Sequence, residues 1–121
     1  MPLIIIIGRG HSGTRAISQT LVDSGVYMGD SLNPSYDLVP ADKMYDACRL
    51  MAKYVKHNGG LSWSFDSVLE MEIPSEFIDL VRGYTNSVFA CGNENYGWQL
   101  PETTLVLPWI VRLYPEAYYI Y

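Results

Sequence analysis

An apolar strand that stops abruptly at a glycine-rich, basic loop constrains this chain more than any other feature. Leu3 is followed by isoleucine at positions 4 to 7, then by Gly8-Arg9-Gly10-His11-Ser12-Gly13-Thr14-Arg15. A branched apolar run without polar alternation reads as a strand buried on both faces, the habit of a parallel sheet. Glycines after such a strand let backbone N–H groups come close to a phosphate. The helix expected from about Gly13 to Ser24 adds the positive potential of its N-terminus. Ile17 and Leu21 share one face of that helix, and Gly25 is its natural stop.

Further along, Val26–Met28 reads as a short extended piece, and Gly29 to Pro40 as a loop punctuated by Asn33-Pro34 and Pro40. Ala41–Lys56 reads as a helix, with Met44, Ala47, Cys48, Met51, Tyr54 and Val55 in one core-facing stripe and Asn58-Gly59-Gly60 as its terminator. Residues 61–73 fit no single period. A helix from Pro74-Ser75 to about Phe89 aligns Phe77, Val81, Tyr84 and Val88, and Cys91–Pro101 reads as a loop. Much of Glu102–Tyr114 is expected to be helical, with a late start or a kink forced by Pro108, which lacks an N–H. Pro115 ends it, and Ala117–Tyr121 reads as a strand.

Strand, helices and strand within 121 residues imply one α/β domain. The expected architecture is a P-loop NTPase-like three-layer arrangement, a short parallel sheet flanked by helices. Because the last residues read as a strand, the domain is expected to be partial, with a terminal strand edge open to pairing with another copy.

The net charge of -5, from 8 basic against 13 acidic residues, disfavours a nucleic-acid surface and leaves room for a small anionic ligand in a locally basic pocket. Pro2–Ile7 is too short to cross a bilayer and has no basic segment before it, so it is read neither as an anchor nor as a signal peptide. Cys48 and Cys91 lack metal-type spacing and are expected as buried thiols in a reducing cytoplasm, with a disulfide left open. The 10 tyrosines point to half-buried surfaces, around a pocket or at a subunit contact.

Three phosphate-loop patterns compete for residues 8–15. Gly8 and Gly13 match the glycines of a nucleotide P-loop, but Thr14 and Arg15 stand where an NTPase needs Lys for the β/γ-phosphates and Ser or Thr for magnesium. Gly8, Gly10 and Gly13 match the glycines of a dinucleotide-binding turn, but no acidic residue sits on a clear second strand to hold a ribose. The fuller pattern, His11-Ser12-Gly13-Thr14 after an apolar strand, resembles the sulfotransferase family, whose 5′-phosphosulfate loop reads basic residue-Ser-Gly-Thr before a helix. Gly97-Trp98-Gln99-Leu100-Pro101-Glu102-Thr103-Thr104 is similar to the family's Lys-x-Pro turn, with Gln99 where lysine is usual. Leu113-Tyr114-Pro115-Glu116-Ala117-Tyr118-Tyr119-Ile120 resembles its Phe-Pro-x-Ala strand. The Arg-Asp and 3′-phosphate motifs that follow in the family have no counterpart in this sequence.

The resemblance implies sulfuryl transfer from 3′-phosphoadenosine-5′-phosphosulfate, without a metal, to a hydroxyl or amine on a small-molecule or glycan acceptor. It makes Arg9, Gly10, His11, Ser12, Gly13, Thr14 and Arg15 the donor-binding set, with His11 as the catalytic candidate in the basic position. Ser12 and Thr14 either donate to phosphate or cap the helix. Arg9 and Arg15 either contact phosphate or pair with acids. His57, Asp66, Glu70 and Glu72 are candidate bases by position alone, and none is preferred. Trp63, Phe65, Tyr96 and Trp98 either line an acceptor pocket or pack in the core. The rival functions are a P-loop nucleotide kinase or NTPase, and a phosphate- or nucleotide-binding or interaction module without turnover.

Overall fold

The computed structural model describes residues 2–9 and 13–121. The branched run forms strand β1, Leu3–Ile6, with Leu3, Ile5 and Ile6 buried. It is the central strand of a three-stranded sheet, parallel to β4 (Tyr96–Gln99) on one side and β5 (Tyr118–Ile120) on the other. Register pairs Ile4 with Gly97 and Tyr118, and Ile6 with Gln99 and Ile120. A parallel sheet is covered on both faces, which is why the residues of its central strand are uniformly apolar.

Helix α1, Thr14–Asp23, follows β1 as expected. Helix α2, Asp42–Ala52, buries Met44, Ala47, Leu50 and Met51 against α4, Ser75–Tyr84, which contributes Phe77, Val81 and Tyr84 to the same core. A short α5, Asn86–Phe89, follows after Thr85, whose hydroxyl donates to Val81 O at 2.8 Å. Pro101–Val106 is a 3₁₀ turn, and α6, Leu107–Leu113, carries Pro108 in its first turn. The missing N–H is harmless there, which is the late start that Pro108 demands. At the centre of the core, Trp109 meets Phe77 edge-on at 4.8 Å and donates its indole N–H to Val68 O at 2.9 Å.

Three expectations are corrected. The helix expected to reach Lys56 ends at Ala52, and Lys56–Gly59 is instead strand β2 of a hairpin with β3, Ser62–Ser64. Asn58-Gly59-Gly60 therefore turns a hairpin instead of ending a helix, with Gly59 and Gly60 both at positive φ. The unassigned stretch after it contains β3 and a short helix α3, Asp66–Glu70. The segment read as a loop from Cys91 to Pro101 contains β4, the partner of β1. Its Gly97 weakens the strand signal, yet only glycine fits: a Cβ there would lie 1.8 Å from Ile4 O.

The outer edge of β4 is covered by backbone from the loop after α1. Gly97 N–H donates to Tyr27 O at 2.9 Å, Tyr27 N–H to Asn95 O at 3.0 Å, and Leu38 N–H to Gln99 O at 3.0 Å. The extended piece expected at Val26–Met28 does this at Tyr27. β5 has one partner strand among the described residues, β1. Among the described residues no helix is long and apolar enough to cross a membrane.

Candidate functional site

The chain steps from β1 to β4 on one side and then back past β1 to β5 on the other. Such a reversal opens a crevice beyond the C-terminal ends of the two strands, the habitual ligand position of parallel sheets. A cavity of about 550 Å³ lies there. Three pieces of chain wall it: Gly13, Thr14 and Arg15 at the start of α1, Ser35 and Asp37 in the loop before α2, and Gln99 and Glu102 just beyond β4.

The α1 side is built by glycine. Gly8 at φ 137° and Gly13 at φ 90° turn the chain out of the strand and into the helix. Gly8 is clasped from the 3₁₀ turn by a single hydroxyl. Its N–H donates to Thr104 Oγ1 at 2.9 Å, and that hydroxyl donates back to Gly8 O at 3.2 Å. The sequence segments around 8–15 and 97–104 thus meet at one edge of the sheet. The N–H groups of a helix's first turn have no partner within the helix and carry its positive end. Arg15 adds a cation on the same wall.

The other two pieces of the wall bring acids, Asp37 and Glu102. Asn33 shapes the loop of Asp37: Asn33 Oδ1 accepts from the N–H of Ser35 at 2.9 Å and of Asp37 at 3.0 Å, and its amide donates to Asp37 Oδ2 at 3.2 Å. Tyr84 locks the same loop from α4, donating to Leu38 O at 2.8 Å. Gln99, only 2% exposed, donates its Nε2 to Asp37 Oδ1 and to Ser35 O at 3.4 Å. Because both neighbours are acceptors, the amide nitrogen must face them, and Oε1 is left facing elsewhere. Gln99 Oε1 and Glu102 Oε2 are buried and have no hydrogen-bond partner among the described residues.

The charge of this wall reaches the groups beneath it. Burial first, then Asp37 and Glu102, pushes the Tyr84 phenol up. Glu102 first, then burial and Asp37, pushes up Tyr45. The Cys48 thiol, which contacts Glu102 O at 3.6 Å, is pushed up to about 11 by burial and then by Glu102. Cys48 and Cys91 are both free and half-buried, rather than fully buried as expected.

Of the expected donor-binding set, Gly13, Thr14 and Arg15 line the cavity, and Arg9 is exposed beside it in sequence. Gly10, His11 and Ser12 lie outside the described residues, and with them the catalytic candidate. Thr14 is a buried first-turn residue and makes no cap: Gly13, without a side chain, holds the cap position. None of the candidate bases lines the cavity. His57 packs on Trp63, the ring centres 4.2 Å apart and the planes tilted by 33°, and faces Gly60 O at 3.0 Å within the hairpin, while Asp66, Glu70 and Glu72 are exposed.

The four aromatics do not assemble into one pocket either. Trp98 is fully buried and donates to Thr103 Oγ1 at 3.0 Å, whereas Trp63 and Phe65 are exposed on the hairpin side. Asp37 and Ser35 escaped the sequence reading, and Glu102 and Thr104 entered it only as part of a turn. The usable signals were the Asn33-x-Ser35-x-Asp37 spacing, typical of a side-chain-stapled turn, and an acid next to the proline that ends β4.

Fold and cavity define a mixed α/β protein with a short parallel sheet, flanked by helices, and a polar crevice at the sheet's C-terminal edge. Comparison with protein-family models, with curated proteins and with solved structures finds no match for the chain.

Proposed function

We propose that the crevice binds the 5′-phosphosulfate end of 3′-phosphoadenosine-5′-phosphosulfate, and that the chain belongs to a P-loop-like sulfotransferase. One observation carries this reading: the β1–α1 turn, resembling the family's phosphosulfate loop, and the 97–104 segment, resembling its second motif, are joined through Thr104 and line the same cavity. First-turn amides of α1 and Arg15 supply positive potential for the departing phosphate without a metal. In the reaction an acceptor oxygen or nitrogen forms a bond to sulfur. The S–O bond to the 5′-phosphate breaks, its electron pair staying with the phosphate, and the acceptor's proton passes to a base. Among the described residues Asp37 and Glu102 are the carboxylates positioned to take it. Two free cysteines fit a reducing, cytoplasmic setting.

Calorimetry of the chain with 3′-phosphoadenosine-5′-phosphate is the test. Saturable binding that Arg15→Ala weakens is expected. Binding of ATP with magnesium, and none of the bisphosphate, would overturn the reading in favour of a nucleotide phosphotransferase. That second reading draws on the same two carboxylates, which line the cavity together with Gly13, Thr14 and Arg15 and could orient a hydrated magnesium ion there. Thr14 and Arg15, in place of Lys and Ser/Thr, weigh against it.

A further inference from the structure

Asn58-Gly59 is the pair in this sequence best suited to react with itself. The backbone nitrogen that follows an asparagine can attack that asparagine's side-chain amide, and a side chain on the following residue hinders the attack. Of the five asparagines, Asn58 alone precedes glycine. Asn33 precedes Pro34, whose nitrogen carries no N–H, and Asn86, Asn93 and Asn95 precede Ser87, Glu94 and Tyr96. The fold sharpens this contrast. Asn33 is held by its bonds to Ser35 and Asp37, and Asn86 opens helix α5. Asn58 lies in the β2–β3 hairpin where the register slips between His57 and Gly59, so it has no cross-strand partner. It is exposed, and its side chain makes no hydrogen bond among the described residues. Gly59 sits at φ 104°, and a Cβ placed on it would meet nothing within 4 Å. The amide is thus untethered, and no packing around Gly59 resists the bending that ring closure needs.

We propose that Asn58 is a site of spontaneous covalent modification, converting through a cyclic imide to aspartate or isoaspartate with water as the only co-reactant. The Gly59 nitrogen forms a bond to Asn58 Cγ. The Cγ–Nδ2 bond breaks, and the amide leaves as ammonia, taking the proton that Gly59 N gives up. Water then opens the ring. Cleavage of the new N–Cγ bond gives aspartate. Cleavage between Gly59 N and the main-chain carbonyl carbon of residue 58 gives isoaspartate, whose main chain runs on through the side chain and is longer by a methylene. Either product puts a carboxylate between His57 and Gly59, close in sequence to the exposed Leu61, Trp63 and Phe65. The longer main chain also shifts the register that sets the His57 ring against Trp63 and Nε2 opposite Gly60 O. A two-stranded hairpin has little stability to spare, so isoaspartate at 58 loosens it and leaves the three-stranded sheet in place. The inference is independent of what the crevice binds.

Timed incubation of the unaltered chain at pH 8 and 37 °C, followed by trypsin digestion and mass spectrometry against a zero-time sample, is the test. Peptide His57–Arg82 contains Asn58 and no other asparagine or glutamine, so the mass gain of an amide turned acid assigns itself. Peptide Gly83–Arg112, with Asn86, Asn93, Asn95 and Gln99, is the internal comparison. Conversion in His57–Arg82 is expected to run at least several-fold faster than in Gly83–Arg112, and to quicken with pH because the Gly59 nitrogen must lose its proton. Two products of equal mass, aspartate and isoaspartate, should separate by chromatography. Asn58→Gln, which would have to close a larger ring, should abolish the conversion. Conversion no faster than in Gly83–Arg112 would overturn the proposal. Aspartate as sole product would do so too, since direct hydrolysis then replaces the imide. Acrylamide quenching follows the hairpin, because Trp63 is 55% exposed whereas Trp98 and Trp109 are fully buried. The purified isoaspartate form should show stronger Trp63 quenching at an unchanged urea midpoint. Unchanged quenching would overturn the loosening of the hairpin.

Discussion

The two ends of the described chain's polar architecture are built on different terms. At the sheet edge, polar groups are buried and held by partners far away in sequence: Gly8 by Thr104, Gln99 by Ser35 and Asp37, the loop around Leu38 by Tyr84. In the β2–β3 hairpin the contacts are local, with His57 against Trp63 and Gly60, and nearly every residue is exposed. The conspicuous aromatic and titratable residues of the sequence's middle went to the hairpin side. The cavity was made from plain Asp, Gln, Glu and Thr. Chemical prominence in a sequence is therefore a poor guide to position when position depends on long-range backbone pairing.

Glycines give the sharpest way to break this contrast. Gly97→Ala drives a Cβ to 1.8 Å from the Ile4 carbonyl oxygen in the middle of the sheet, where backbone cannot yield. A loss above about 4 kcal/mol, or outright failure to fold, is expected in urea unfolding. Gly60→Ala, at φ 55° with open space around its Cβ position, carries only the left-handed penalty of about 1–2 kcal/mol. Comparable losses at the two sites would mean that the hairpin is as constrained as the sheet.

Tryptophans repeat the comparison at a lower level. Trp98→Ala empties a fully buried site and leaves Thr103 without its indole donor, an expected loss of about 3–5 kcal/mol. Trp63→Ala, at a residue 55% exposed, should cost less than about 1 kcal/mol. A smaller step again tests the clasp between the two motifs. Thr104→Val keeps the shape and removes the hydroxyl that both accepts from and donates to Gly8. A loss of about 1–3 kcal/mol is expected from the unsatisfied Gly8 groups, accompanied by weaker bisphosphate binding in calorimetry. Unchanged binding would show that the clasp supports the fold without shaping the anion end.

How far the sequence alone could be read follows the same division. β1, the turn at Gly8 and helix α1 were legible because their determinants are contiguous: a branched apolar run, a glycine stop, a helical face at Ile17 and Leu21. The core faces of α2 and α4 were legible because a helix repeats its pattern within its own length. β4 was not. Tyr96 and Trp98 favour a strand, but Gly97 between them and the shortness of the segment hid that signal, and it becomes a strand by pairing with β1. The apolar stripe of α2 ran on through Tyr54 and Val55, which hid the change to a hairpin. Half of the cavity lies in the two segments that the sequence reading singled out, 8–15 and 97–104, Gln99 among them. Its acidic wall was not legible, since Asp37 reaches it through the side-chain bonds of Asn33, and nothing local tells a loop acid in a cavity from one in solvent.

The smallest expected effect links the cavity to the core beneath it. Cys48 is raised from 9.0 to about 11 by burial and then by Glu102, against a lowering by Arg49. The folded thiol is thus harder to ionise than the unfolded one. Cys48 costs the fold nothing below about pH 9 and erodes its stability as pH rises from there toward 11, because the unfolded chain gives up the proton first. Native Cys48 should alkylate slowly near neutral pH, with a rate that climbs toward a midpoint near 11. Glu102→Gln removes one of the two raising causes and should move that midpoint downward by a fraction of a unit, burial remaining in force. Mass spectrometric mapping of alkylated Cys48 across pH 8 to 11.5 reads both. A midpoint that stays put in the Gln variant would mean that the charge of Glu102 is already balanced by a neighbour, and the acidic wall would then be much less negative than its carboxylates imply.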